Sequence, residues 1–266
     1  MGKLGLIAGG GGLPVEIARH CQATGRPLFV ARLKGFAGPD LAEFPGTDVG
    51  IAQLGQCIAA FRNAGVETVC MAGIVAKPDF AALRPDLRGL KALPRVAAAA
   101  LKGDDALLRA LVAEFEAEGF GVQGAHEAMD NLTLPLGPLG RVRPSAIDLE
   151  DARLALEAAR AVGLTDLAQG AVVRAGVVLA TEAEDGTDAM LARLEAGRGG
   201  VLAKAPKPRQ DLRVDLPTIG VATLRGAARA GLSGVVGEAG RMLVLDRPAV
   251  AALADELGLF VLGVEP

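Results

Sequence analysis

Between Lys204 and Gly220 the chain places four cations (Lys204, Lys207, Arg209, Arg213), two carboxylates (Asp211, Asp215), Gln210, Thr218 and three prolines within seventeen residues. No helical or strand period runs through them. The segment therefore reads as a loop that cannot bury itself, restricted to few conformers by its proline φ angles. Cations beside a fixed carboxylate suit phosphoryl chemistry, because ammonium groups neutralise phosphate oxygens while a carboxylate holds a hard cation or orients a water. Asp215, flanked by Val214 and Leu216 and followed by Pro217, is the candidate carboxylate. Lys204 and Lys207 are the candidates for phosphate oxygens, with Gln210 and Thr218 as neutral hydrogen-bond partners. A second acidic group, Glu182, Glu184, Asp185 and Asp188, precedes a helix that begins near Ala189; it can cap that helix or join a cation site.

The other chemically suggestive stretch opens the chain. The apolar run Leu4 to Ala8 is followed at once by Gly9, Gly10, Gly11, Gly12 and Leu13, then by Pro14 and an amphipathic stretch to Gln22. Strand, glycine loop and helix in that order let backbone N–H groups approach a phosphate at the helix start. The dinucleotide fingerprint is incomplete, since Pro14 or Val15 stands where its third glycine belongs, and the second strand, Pro27 to Arg32, ends without the acid that holds a ribose. A mononucleotide or nucleoside diphosphate fits this loop better than NAD; Arg32 leaves an NADP-dependent reductase as an alternative.

Elements must hold these loops. Strands at Asp48 to Ala52 and Glu67 to Gly73, with a helix from Gln53 to Asn63 between them, extend the β-α-β alternation and imply a parallel sheet with its ligand edge at the strands' carboxyl ends. Lys77, Pro78, Asp79 and Phe80 lie at that edge. Helices follow at Pro94 to Lys102 and Asp104 to Glu118, the latter with Asp104 and Asp105 as possible caps. Then comes His126, which could be an acid–base group or a structural hydrogen-bonder. Residues 133–146, rich in proline and glycine, read as a linker between a nucleotide-binding Rossmann-like domain (1–132) and a second α/β domain (147–266). The second half begins with a helix from Ala146 to about Ala161, then a hairpin that turns at Ala175 and Gly176. Its remaining elements are a strand into Lys204, helices at Val221 to Ala230 and Arg247 to Leu257, and strands at Arg241 to Asp246 and Leu259 to Val264.

Composition narrows the function. The chain is 51% apolar and 22% charged with net charge −3, which argues against a nucleic-acid partner; it has eight Phe but no Trp or Tyr for stacking on bases. Cys21, Cys57 and Cys70 have no metal-ligand spacing and read as buried free thiols. No apolar run approaches the roughly 18 residues of a membrane span, and no signal peptide is evident, so a cytoplasmic protein is expected, at most peripheral at a membrane.

Seven motifs in order carry a resemblance that spans nearly the whole chain: Gly5 to Pro14, Lys102 to Leu107, Gln169 to Val173, Glu184 to Met190, Lys204 to Pro208, Val214 to Gly220 and Gly237 to Gly240. Together they resemble the LpxI-type UDP-2,3-diacylglucosamine diphosphatases of lipid A synthesis. The resemblance implies magnesium-dependent hydrolysis of UDP-2,3-diacylglucosamine to UMP and 2,3-diacylglucosamine 1-phosphate (lipid X), two domains with the lipid product in the cleft between them, and a homodimer. It implies that Asp215 is required for activity; Asp215 and Asp188 are the candidate metal ligands, and Gln169, Gly170 and Asp188 the candidate substrate contacts. The connection from Leu194 to Gly200 is shorter than in the family's pattern. Outside this class, a non-catalytic UDP-sugar sensor would use the same loops.

Overall fold

The computed structural model describes residues 2–76, 83–164, 168–183, 185–208 and 211–266. The chain divides into two compact units, Met1–Asp130 and Asn131–Pro266. Lys77, Pro78, Asp79, Phe80, Glu184, Arg209 and Gln210 lie outside the described residues.

The first unit is a five-stranded parallel sheet in the order β3-β2-β1-β4-β5, formed by β1 (Leu4–Ala8), β2 (Leu28–Leu33), β3 (Gly46–Val49), β4 (Thr68–Ala72) and β5 (Gly121–Val122). Strand order reverses at β1, as in doubly wound folds that bind ligands at the carboxyl edge beside that strand. Helices α1 (Leu13–Thr24) and α2 (Leu54–Asn63) are the crossovers. Between β2 and β3 lies a short 3-10 helix, Pro39–Glu43. Phe61 is fully buried and meets Phe29, Phe115 and Phe120 at ring separations of 6.2–6.4 Å, so half of the chain's few aromatic rings gather in one core. All three cysteines are free and buried, and burial pushes the Cys57 and Cys70 thiols up to about 12.

Two elements differ from the periodicity reading. Strand β3 ends at Val49 rather than continuing to Ala52, because Gln53 Oε1 accepts the Gly50 N–H at 2.8 Å and turns the chain into α2. The third helix, α3 (Leu87–Ala100), starts seven residues before Pro94 and runs through it. Asp86 caps it by accepting the Gly89 N–H at 2.7 Å, and Arg88 and Arg95 tie it to the buried Glu114 of α4 (Asp104–Ala117). These ties offset the hydrogen bond that Pro94 cannot donate. Asp104 and Asp105 sit in the first turn of α4 without capping it; Asp105 is buried and pairs with Arg109 at 2.9 Å.

The second unit is a mixed six-stranded sheet ordered β6-β13-β11-β9-β7-β8. Its strands are β6 (Gly137–Pro138), β7 (Gly170–Arg174), β8 (Val177–Thr181), β9 (Val201–Lys204), β11 (Gly234–Glu238) and β13 (Phe260–Val264). Strands β9, β11 and β13 run parallel, while β7 is antiparallel to β9 and β8 to β7. Helix α6 (Ala146–Gly163) covers one face through Ala152, Ala155, Leu156 and Ala159. Helices α7 (Gly186–Arg193), α8 (Val221–Arg229) and α9 (Arg247–Leu257) cover the other around Leu202, Leu224 and Val235. A small parallel pair, β10 (Thr218–Ile219) and β12 (Leu243–Val244), lies outside the main sheet. Residues 133–146 belong to this unit rather than standing apart as a tether: Leu134 is fully buried and β6 pairs with β13. The short connection after α7 is clamped by Arg174, whose guanidinium donates to Gly199 O at 2.9 Å and Ala230 O at 2.8 Å.

Candidate active site

The glycine loop follows β1, beside the chain that leaves β4, and its glycines do two jobs. Gly9 N–H donates to Ala72 O at 2.9 Å, while Gly10 and Ile74 exchange N–H···O bonds at 2.8 Å in both directions. Gly9 and Gly10 thus spend their donors on the end of β4 and the chain that leaves it. Gly11, at φ +84°, Gly12 and Leu13 open α1, and their N–H groups have no partner among the described residues. The close approach also explains Gly73: at φ +96° an added Cβ would lie 2.6 Å from Gly10 O and 2.8 Å from Pro14 Cγ. Gly73→Ala is expected to destabilise the first unit by about 2 kcal/mol, read as a lowered thermal midpoint. Arg32 is already committed, at 2.6 Å from Asp48 Oδ1 and 3.3 Å from the carbonyls of Leu41 and Phe44. It is not left free for a 2′-phosphate.

The reactive candidates converge in the second unit, at the edge where β9 ends. Because β7 is antiparallel to β9, its first residue, Gly170, pairs with Lys204, the last residue of β9. The hairpin returns β8 to the same edge, so Gln169 before β7 and Glu182 after β8 flank Lys204. Lys204 Nζ donates to Thr187 Oγ1 at 2.7 Å, Thr187 donates to Glu182 Oε1 at 2.6 Å, and the ammonium stands 3.8 Å from that same oxygen. Glu182 Oε2 accepts the Gln169 N–H at 2.9 Å. Gln169 Nε2 donates to Asp215 Oδ2 at 3.2 Å, which links the loop carboxylate to the strand ends. Gly170 is where a side chain would crowd this group, since its Cβ would come within 3.1 Å of Glu182 Oε2.

Burial overturns one expectation about the proline segment. Lys204 to Lys207 are buried, with Lys204 only 7% and Lys207 only 8% exposed; Lys204 ends β9, an inner strand covered by α6 on one face and by the opposite helices on the other, and Lys207 follows three residues later. Burial pushes Lys204 below the ordinary lysine pKa, against the pull of Glu182, Asp215 and Asp188, which favour the ammonium. Asp188 lies in the first turn of α7 and is exposed. Asp215 is half-buried in a turn in which its own N–H donates to Asp211 O, and it caps no helix. Thr218 offers its carbonyl to Lys204 at 3.4 Å and spends its hydroxyl on Leu216 O at 3.0 Å.

Sequence reasoning passed over Thr187 and left Glu182 undistinguished among four acids. The usable signal was positional, because Glu182 directly follows an apolar strand and Thr187 sits in the first turn of the next helix. The Gly237 to Gly240 motif is structural here: Glu238, at the end of β11, is buried and accepts two hydrogen bonds from Arg160 at 2.8–2.9 Å. His126 lies on α5 (Ala125–Ala128) of the first unit, its Nδ1 buried with no hydrogen-bond partner among the described residues.

The sequence profile of the LpxI N-terminal domain matches residues 3–132, and that of the LpxI C-terminal domain matches residues 135–262. The UDP-2,3-diacylglucosamine pyrophosphatase LpxI of Caulobacter vibrioides is 60% identical, over 100% of this chain and 99% of that protein. The chain belongs to the LpxI family. A solved structure from Methylobacillus flagellatus, described as an NAD-dependent epimerase/dehydratase, covers 51% of this chain and 40% of its own at 13% identity and TM-score 0.26, too low to carry an argument.

The donor set of the second unit suits a hard cation bound jointly with phosphate. Among the described residues no three His, Cys, Asp or Glu side chains form a closed metal cage. Magnesium seldom needs one, because it takes one or two carboxylates and completes its shell with phosphate oxygens and water. Asp215 and Asp188 both act on the Lys204 ammonium, and Gln169 Oε1 is buried without a hydrogen-bond partner among the described residues. Three carboxylates around one lysine would also repel a diphosphate unless a cation offset them.

Proposed function

We propose that this chain hydrolyses the diphosphate of UDP-2,3-diacylglucosamine, giving UMP and 2,3-diacylglucosamine 1-phosphate, as a step of lipid A synthesis. The observation that carries the reading is the buried Lys204–Thr187–Glu182 chain joined through Gln169 to Asp215, in a member of the LpxI family. In the reaction a water oxygen bonds to the phosphorus nearer the sugar, the bond from that phosphorus to the bridging oxygen breaks, and UMP leaves. Asp215 orients the water by accepting its hydrogen bond. Thr187 and Glu182 fix the Lys204 amine, which meets charge on the phosphoryl oxygens without having to reorganise. Lys207 adds a second cation. Magnesium, held by Asp215 and Asp188, would supply charge neutralisation of the diphosphate.

In the first unit, the N–H groups of Gly11, Gly12 and Leu13, unpaired among the described residues, suit the nucleotide end of the substrate. No helix among the described residues is long and apolar enough to cross a membrane. We place the chain in the cytoplasm, acting as a homodimer. The test is UMP release from UDP-2,3-diacylglucosamine with and without magnesium. Tight binding of the UDP-sugar with no turnover would replace the hydrolase by a sensor.

A further inference from the structure

Helix α3 leaves an unusual face uncovered. Leu87 is 83% exposed, Leu90 57% and Leu101, at the C-cap, 91%, although the opposite side of the helix is packed through Gly89, Ala92 and Ala100. At about 100° per residue the exposed positions fall in an arc about 140° wide, with the three leucines along one flank and Lys91 and Arg95 along the other. None of the helix's fourteen residues is acidic, in a chain whose net charge is −3.

The cationic flank continues into a shallow hollow of about 460 Å³ between α3 and α4, lined by Arg95, Lys102 and Arg109 over a floor of four alanines. Arg95 and Arg109 pair on their inner sides with the buried Glu114 and Asp105, yet remain 63% and 53% exposed. Lys91 and Lys102 have no ion pair among the described residues. An apolar flank beside a basic one, with small side chains between them, is what a helix lying in a membrane interface presents: leucines enter the acyl boundary while cations meet lipid phosphates.

We propose that the exposed face of α3, with the basic hollow it shares with α4, docks on an anionic phospholipid bilayer and seats a headgroup phosphate among Arg95, Lys102 and Arg109. A membrane fits better than a protein partner because both chemistries it offers, negative phosphate and hydrocarbon, are matched within one helix face. The proposal goes beyond the hydrolase reading, to which it adds a way for the chain to reach a lipid-borne substrate.

The full chain should sediment with phosphatidylglycerol vesicles and not with phosphatidylcholine vesicles, and added salt should weaken the binding. Replacing Lys91 and Lys102 by Gln removes two cations and should weaken partitioning about 30-fold. Leu87→Ser with Leu90→Ser and Leu101→Ser should also release the protein. These side chains are exposed, so both variants should unfold at the wild-type temperature. A variant that unfolds early is replaced by Lys91→Gln alone, for which about a fivefold loss is expected. Equal binding to both vesicles, or variants that bind like wild type, would overturn the proposal. So would inorganic phosphate at millimolar concentration stripping the protein from vesicles, which marks a site for free phosphate. A change in oligomeric state in the leucine variant would assign the face to a second copy instead. UMP release from a short-chain, water-soluble substrate separates the two readings: its absence sinks the hydrolase while vesicle binding stands, and its persistence in both variants shows that docking is distinct from chemistry.

Discussion

Asp215→Asn should cut UMP release by about three orders of magnitude while leaving affinity for the UDP-sugar within about tenfold of wild type. The substitution keeps the side chain's shape and an oxygen for the Gln169 amide, which now stands 3.2 Å from Asp215 Oδ2, so the turn that begins at Asp211 should persist. What is lost is negative charge where a water or hard cation would be held. Turnover measured beside calorimetric binding distinguishes this from misfolding, since a collapsed site would lose both. A variant retaining a tenth of wild-type turnover would remove Asp215 from the chemistry.

Lys204→Met should also cost about two to three orders of magnitude in turnover, and it makes a second, independent demand on stability. Burial places the native amine's pKa below the ordinary lysine value of 10.5. Between the native value and 10.5 the unfolded chain binds more protons than the folded one, so raising pH favours folding through that window. The penalty for burying the charged form is complete below the native pKa and gone above the ordinary one. Wild type should therefore gain stability relative to Lys204→Met as pH rises toward 10.5, measured as the difference in denaturant midpoints. A difference that stays flat or falls with pH would show that the carboxylates around Lys204, not burial, control its proton.

Much of the architecture was legible because it rests on local patterns. The run Leu4 to Ala8, the glycines after it and Pro14 specify strand, turn and helix in a few residues, and the alternation of strands and helices implies a parallel sheet. The start of α3 was less legible, because it depends on Asp86 capping Gly89 and on Glu114, a residue of another helix, gathering two arginines. No period in the sequence contains that information. Asp215, Lys204 and Lys207 stood out by type and proline context. The burial of Lys204 followed instead from β9 being an inner strand, a property of sheet order. Thr187 became visible only when antiparallel pairing brought the ends of three strands to one edge.

That pairing has a further consequence for how such a chain can change over time. The hairpin of β7 and β8 begins and ends beside Lys204, while its tip, Ala175 and Gly176, lies about 17 Å away along five residues of strand. Asp151 on α6 holds the tip by accepting both of its N–H groups at 2.8–2.9 Å. Residues added at the tip would loosen those two bonds without altering the spacing of Gln169 and Glu182. The hairpin thus separates a place where chain length is free to drift from a place where it is fixed, and a peptide tag spliced there would travel with the protein at little expense to its chemistry.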